Sequence, residues 1–157
     1  RLRSRDLYDR IKVISEPSSL KLFRERVHDT WLNNNCSTNR CHGGSESGRL
    51  RLRRDPLTSE RCCYTNLLVL DRFRTREGVP LIDWERPAQS LLLQYGLPRS
   101  ETMTPHPDVP GWTPVFDSRH RELIDNSILW MNSMMTAPRP QYPIPDLSPK
   151  STKGGEP

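Results

Sequence analysis

No apolar run in the chain approaches the ~20 residues that a membrane-crossing helix needs. A stretch such as 67–70 fills barely one turn, so a membrane-spanning helix is excluded by this reading. Apolar residues are scarce altogether: 33% hydrophobic, the 7% aromatic included, with 8 glycines besides. Soluble domains typically carry about 45–50% apolar residues with glycine counted. Ordering each residue costs about 1–2 kcal/mol of backbone entropy, so no large autonomous core is expected and partner surface is expected to supply part of the order. Also missing are a Gly-rich phosphate cradle, a Gly-Lys-Ser/Thr sequence, a nucleophile elbow and a histidine pair in metal spacing. The nearest approaches to an acid–base group are His120 with Glu122 and Asp125, and His28 beside Asp29. Alternating charge at Arg119 and Arg121 makes the first a solvated helix face. The expectation is a non-enzymatic protein with no catalytic residues, no cofactor and no small-molecule substrate.

Cysteine is sparse as well. Cys36 and Cys41, with His42 next to the second, admit a tetrahedral metal site completed by Cys62 or Cys63, or a disulfide framework. Adjacent cysteines rarely reach one metal, and no secretory signal points to an oxidising compartment. Four reduced thiols, and no metal, are the default. The chain opens on Arg1, and RLRSRDLYDR, with Asp6 and Asp9, reads as mature sequence rather than a transit peptide.

What the chain does have is proline: 15 in 157 residues, concentrated in the second half. Each fixes φ, removes a backbone donor and biases the preceding residue away from helix. It also has basic charge, 24 Lys+Arg against 19 Asp+Glu, net +5. The excess sits early, at Arg1, Arg3 and Arg5 and again at Arg49, Arg51, Arg53 and Arg54. Those clusters suit an acidic surface, whereas the interspersed carboxylates make RNA the less favoured partner.

The pattern predicts a mainly α fold with much irregular extended structure, several short helices on Pro-rich arms and little or no sheet. Residues 1–76 form a helical region. Its first helix covers about 4–14, with Leu7, Ile11 and Ile14 on one face. The second, capped by Ser18 or Ser19, runs to about 32 on a stripe of Leu20, Phe23, Val27 and Trp31. An Asn/Ser/Gly loop spans 33–48 and a basic arm spans 49–54, where arginines alternate with Leu50 and Leu52. A third helix, capped by Thr58 or Ser59, covers about 60–74 with Cys63, Leu67, Leu70 and Phe73 on one face, although its Leu-Leu-Val-Leu run also suits a strand.

Residues 77–116 form an extended Pro/Trp segment carrying a short helix at 87–95. Pro87 stands in its first turn, Gly96 is its left-handed stop and Pro98 forbids continuation. Five prolines within 98–114 predict an extended linker, which at about 3 Å per residue reaches about 50 Å. An amphipathic helix over 117–136 follows, capped by Asp117 or Ser118. Ile124, Ile128, Met131 and Met135 form its stripe, with Leu123, Ser127, Trp130 and Met134 beside it. Residues 137–157 are a Pro-rich tail.

Large aromatics are the expected anchors of an assembly interface. The partner-binding residues are therefore Trp84, Trp112, Trp130 and Tyr142, with Arg49, Arg51, Arg53 and Arg54 for an acidic surface. The segments VPLIDWERP, VPGWTPVF and QYPIPD resemble the wall-hugging stretches of the small microtubule inner proteins of cilia and sperm flagella. That resemblance implies a structural role in the axoneme, lining or bridging doublet microtubules from the lumen, with tubulin and neighbouring inner proteins as partners. A competing class is an accessory subunit of a mitochondrial ribosome or respiratory complex, in which Arg49 to Arg54 meet RNA phosphate or an acidic subunit. A third is an adaptor that displays PRPQYPIPDLSP as a polyproline ligand for SH3 or WW domains.

Overall fold

The computed structural model describes residues 15–45, 47–54 and 56–134. The helix expected at 4–14, the tail 137–157 with Tyr142, and Arg1, Arg3 and Arg5 lie outside the described residues. Helix accounts for 47% of those described and no sheet forms among them. One antiparallel bridge, Arg74 with Pro80, closes a tight turn whose Gly78 takes a φ of +83°, the left-handed region that glycine enters without a Cβ penalty.

Helix α1 (Ser18–Phe23) starts without the expected serine cap. Pro17 stands at the N-cap, and its carbonyl accepts the Leu20 and Lys21 N–H groups at 3.0 Å each. From Arg24 the chain rewinds into a π-helix that reaches Cys36. Such winding is rare beyond a single turn. Here it carries order past residue 32, where the sequence pattern ends the helix. The wider turn lets the buried face take in Val27, His28, Trp31, Leu32 and Asn33 together. Side-chain donors also reach back along it, from Asn34 to the Thr30 carbonyl at 2.8 Å and from Asn35 to the Trp31 carbonyl at 3.0 Å.

Helix α2 (Glu60–Arg72) follows the sequence closely. Ser59 caps it, its side chain accepting the Cys62 N–H at 3.1 Å, and the buried face holds Cys62, Cys63, Asn66, Leu67 and Leu70. A 3₁₀ turn (Pro87–Gln89) leads into the four-residue helix α3 (Leu91–Gln94). Gly96 is not the left-handed stop read from the sequence, since its φ is not positive. Glycine is needed there for space: a Cβ would lie 2.4 Å from the Phe116 ring. Helix α4 (Arg121–Ser133) begins four residues after Asp117, whose carboxylate accepts the Arg119 N–H at 2.8 Å instead of capping the helix directly.

One core runs through the described chain. Phe23, Val27, Trp31 and Leu32 meet Phe116, Trp130 and Met131, with Leu67, Leu70, Leu81, Ile82, Leu92 and Leu93 filling between them. Phe23 tilts against Trp130 at 4.8 Å, Trp31 meets Phe116 edge-on at 5.0 Å, and the Trp31 indole N–H donates to the Ser127 hydroxyl at 3.2 Å. Such aromatic pairs are worth about 0.5–1.5 kcal/mol beyond the area they bury. The core therefore joins the region expected at 1–76 to the helix expected at 117–136: the earliest described helix packs on the last. Nor do residues 98–114 span about 50 Å. The Gly96 carbonyl accepts both the Val115 N–H at 2.8 Å and the Phe116 N–H at 2.9 Å, so the ends of this proline-rich stretch are tied together.

Candidate docking surfaces

Of the four expected aromatic anchors, two belong to the core. Trp130 is fully buried. Its side chain is spent on Phe23 and Trp84, which removes it from any outer surface and corrects the expectation that it meets a partner. Trp84 is half-buried, edge-on to Trp130 at 5.8 Å, with its indole N–H donating to the Asp71 carboxylate at 3.0 Å. The period of α4 placed Trp130 beside its apolar stripe, but nothing local showed that α1 covers it.

Trp112 is the described tryptophan anchor that stands apart from the core. It stands half-buried on the mostly exposed 98–114 loop. His106 stacks on its ring, centroids 5.4 Å apart and planes inclined by 15°, and the Arg99 guanidinium lies over the ring at 5.3 Å. Arg99 in turn holds Asp108 at 3.0 Å, tying the two limbs of the loop. The far side of His106 meets the loop's neighbours, with Tyr95 edge-on at 5.7 Å and His42 at 6.0 Å. Burial, and then the proximity of His106, hold the His42 imidazole below its ordinary value. Around this stack the loop exposes Val109 and leaves Met103 fully in solvent. The sequence marks Trp112 and His106 as the two rings of this stretch that face outward; it does not reveal Arg99, whose spacing belongs to no regular element.

The basic arm is clamped, not free. Leu52 is buried, its N–H donating to the His42 carbonyl at 2.7 Å. The Arg53 backbone is held from both sides by the Asn66 side chain, its N–H donating to Oδ1 at 2.7 Å and its carbonyl accepting Nδ2 at 3.0 Å. That pairing is the role an adjacent strand would play, supplied by one amide from α2. With Leu52 inward, Arg49, Arg51 and Arg53 are exposed, which is the alternation expected of an extended arm. Arg49 lies over the Phe73 ring at 5.9 Å, Arg51 donates to the Ser47 hydroxyl and the Ser45 carbonyl, and Arg54 donates to the Ser37 carbonyl at 3.1 Å. Among the described residues none of the four guanidiniums is paired with a carboxylate. Arg51, Arg53 and Arg54 line one open groove of about 420 Å³, together with Gly43, Leu52, Thr65 and Val69.

Beneath the arm is a buried polar network that the sequence did not reveal. His28 and Asn66 are fully buried. The His28 Nδ1 is 2.6 Å from the Asp29 carboxylate and its Nε2 is 3.1 Å from Asn66 Nδ2. One assignment satisfies the two shortest contacts: Nδ1–H donates to Asp29 and Nε2 accepts from Asn66, whose orientation is fixed by the Arg53 N–H, while the Asn33 amide, 3.3 Å from Nδ1, donates to the Leu57 carbonyl. This imidazole has both nitrogens occupied inside the core, so it braces the arm and has no lone pair to offer a substrate.

The cysteines are free thiols. Burial pushes the Cys36 and Cys63 thiols up to about 12, with Cys41 adding to the effect at Cys36 and Asp29 at Cys63, so neither forms a thiolate near neutrality. Among the described residues, no three His, Cys, Asp or Glu side chains group so as to hold a metal ion, and no helix is long and apolar enough to cross a membrane. No protein-family model, curated protein or solved structure matches the chain.

Proposed function

We propose that this chain is a structural, non-enzymatic component of a large protein assembly. The favoured setting is the luminal wall of axonemal doublet microtubules in a cilium or flagellum, with tubulin and neighbouring inner proteins as partners. The observation that carries the reading is the Arg99–Trp112–His106 stack. A large aromatic held between two side chains on an exposed loop has already lost most of its freedom, so docking it costs little further entropy. Exposed Met103 and Val109 offer apolar contact beside it, and the loop's prolines stiffen the whole presentation. The arginines of the arm, which form no ion pair with a described carboxylate, favour a second reading, an accessory subunit of a mitochondrial ribosome that meets RNA phosphate.

Co-sedimentation of the purified chain with polymerised tubulin, in parallel with RNA titrations across salt, tests both. The axonemal reading expects pelleting with microtubules, lost in Trp112→Ala while thermal unfolding stays unchanged. Pelleting of Trp112→Ala at the wild-type level would remove Trp112 as the anchor. Binding to RNA but not microtubules, with a log K against log salt slope of about −0.7 to −0.9 per phosphate neutralised, would replace the axonemal reading by the ribosomal one.

A further inference from the structure

The loop of Trp112 leaves the arginine groove unexplained, and it has a composition of its own. Its described lining is three arginines, two aliphatic side chains, a threonine and a glycine, with no carboxylate and no aromatic ring. The groove continues onto α2. Thr65, in the lining, shares its helix face with Arg61, Leu68 and Arg72, spaced at i, i+4, i+7 and i+11 counted from Arg61. Arg61 and Arg72 are exposed, and Leu68 keeps 50% of its surface in water between them. The aliphatic side chains of the lining are Leu52 and Val69, and the exposed Leu68 neighbours Val69 on α2 between Arg61 and Arg72. The Arg53 guanidinium makes no hydrogen bond or ion pair with any described residue, and Arg51 and Arg54 use only part of their donor sets.

We propose that this groove is a binding site for an acidic segment of a partner protein, one that carries aliphatic side chains among its carboxylates. Charge complementarity selects the acid: three guanidiniums line the groove, Arg61 and Arg72 stand on the exposed face of α2 that Thr65 shares, and the described lining supplies no charge of the opposite sign. The aliphatic floor selects a peptide over a nucleic acid, because single strands are held by basic grooves that interleave aromatic stacking platforms, and no aromatic side chain lines this one. Spacing agrees. Arg51 and Arg53 sit two residues apart on an extended backbone, about 6.6 Å, which is the separation of alternate carboxylates along an extended peptide. The site lies on the arm and α2, apart from the Trp112 loop, and goes beyond the docking role assigned to that loop.

The full chain is titrated with a fluorescein-labelled peptide alternating glutamate and leucine, with its glutamine–leucine counterpart, with polyglutamate and with single-stranded poly(U). The glutamate–leucine peptide is expected to bind most tightly, its affinity falling as salt rises. Arg53→Ala should weaken it about two- to fivefold, the range of exposed ion pairs, and Arg51→Glu with Arg53→Glu by roughly tenfold or more through like-charge repulsion. Leu68→Ser should weaken the glutamate–leucine peptide and leave polyglutamate unchanged. The Arg53 and Leu68 side chains are exposed, so the unfolding curves of those single variants should not move. Equal binding of the glutamine counterpart, tighter binding of poly(U), or indifference to the charge reversal would overturn the site. A loss of peptide binding in Trp112→Ala equal to that in the arginine variants would overturn its separateness from the loop, whereas Trp112→Ala failing only with tubulin would leave the groove standing.

Discussion

Replacing Asn66 by alanine tests whether the arm that carries the arginines is held by one side chain. Asn66 is fully buried and serves three groups: it accepts the Arg53 N–H at 2.7 Å and donates to the Arg53 carbonyl at 3.0 Å and to His28 Nε2 at 3.1 Å. A buried donor or acceptor left without a partner costs about 1–3 kcal/mol. His28 Nε2 lies in the core and bears that cost in full. The Arg53 backbone sits nearer the surface, so water partly replaces the amide there. Summed with these weights, Asn66→Ala is expected to destabilise the fold by about 4 kcal/mol, against about 1 kcal/mol for a typical substitution.

Urea unfolding followed by tryptophan fluorescence should show the midpoint falling by about 2 M if m is about 2 kcal/mol/M. Hydrogen exchange adds the local readout, since the Arg53 amide should lose protection by more than the helix α2 amides do. Asn66→Asp separates the two functions of the amide. It keeps an acceptor for the Arg53 N–H, removes both donors and places a carboxylate against the Arg53 carbonyl, so it should be worse than alanine. A loss below about 1 kcal/mol for Asn66→Ala, or Arg53 protection unchanged, would refute the clamp and show that Leu52 alone seats the arm.

Three further outcomes follow from the core and the start of α4. Gly96→Ala drives a Cβ to 2.4 Å from the Phe116 ring and should cost about 1–3 kcal/mol by overpacking, with Phe116→Leu recovering part of the loss in a double-mutant cycle; additive effects would deny the contact. Trp130 Nε1 is buried with no acceptor among the described residues, whereas Trp31 Nε1 bonds Ser127, so Trp130→Phe should destabilise less than Trp31→Phe in parallel urea titrations, and the reverse order would contradict this pairing. The Asp117 carboxyl is held down at about 2, first by the Arg119 side chain, then by the Arg119 N–H, with His120 adding to it. Because its folded value is depressed, its contribution is present above its ordinary value and lost as pH falls through about 2, so carboxyl NMR should place its midpoint well below those of unpaired aspartates and Arg119→Ala should raise it.

The parts of this fold that were legible in the sequence are those decided within a few residues. The Ser59 cap precedes its helix by one position, and Cys63, Leu67 and Leu70 recur at helical spacing, so α2 was readable to within two residues at its end. Phe23, Val27 and Trp31 were found for the same reason, while the rewinding at Arg24 was not, because π and α turns share the same apolar residues and differ only in which carbonyl each N–H finds. Proline misled at longer range. It correctly forbids helix over 98–114, yet fixing φ does not fix where a chain goes, and two hydrogen bonds to the Gly96 carbonyl turn an expected arm into a closed loop. Tryptophan was ambiguous on the same scale: a ring suited to a partner is equally suited to a core, and Trp130 is internal only because Phe23, 107 positions away, arrives to cover it. The arginines were legible as a charge run, but the path of their backbone depends on Asn66, a residue of no motif, which holds Arg53 at both its N–H and its carbonyl beside a groove that Arg51, Arg53 and Arg54 line. Local grammar thus marks which residues are large, charged or capping, and the contacts that span the chain decide which of them face outward.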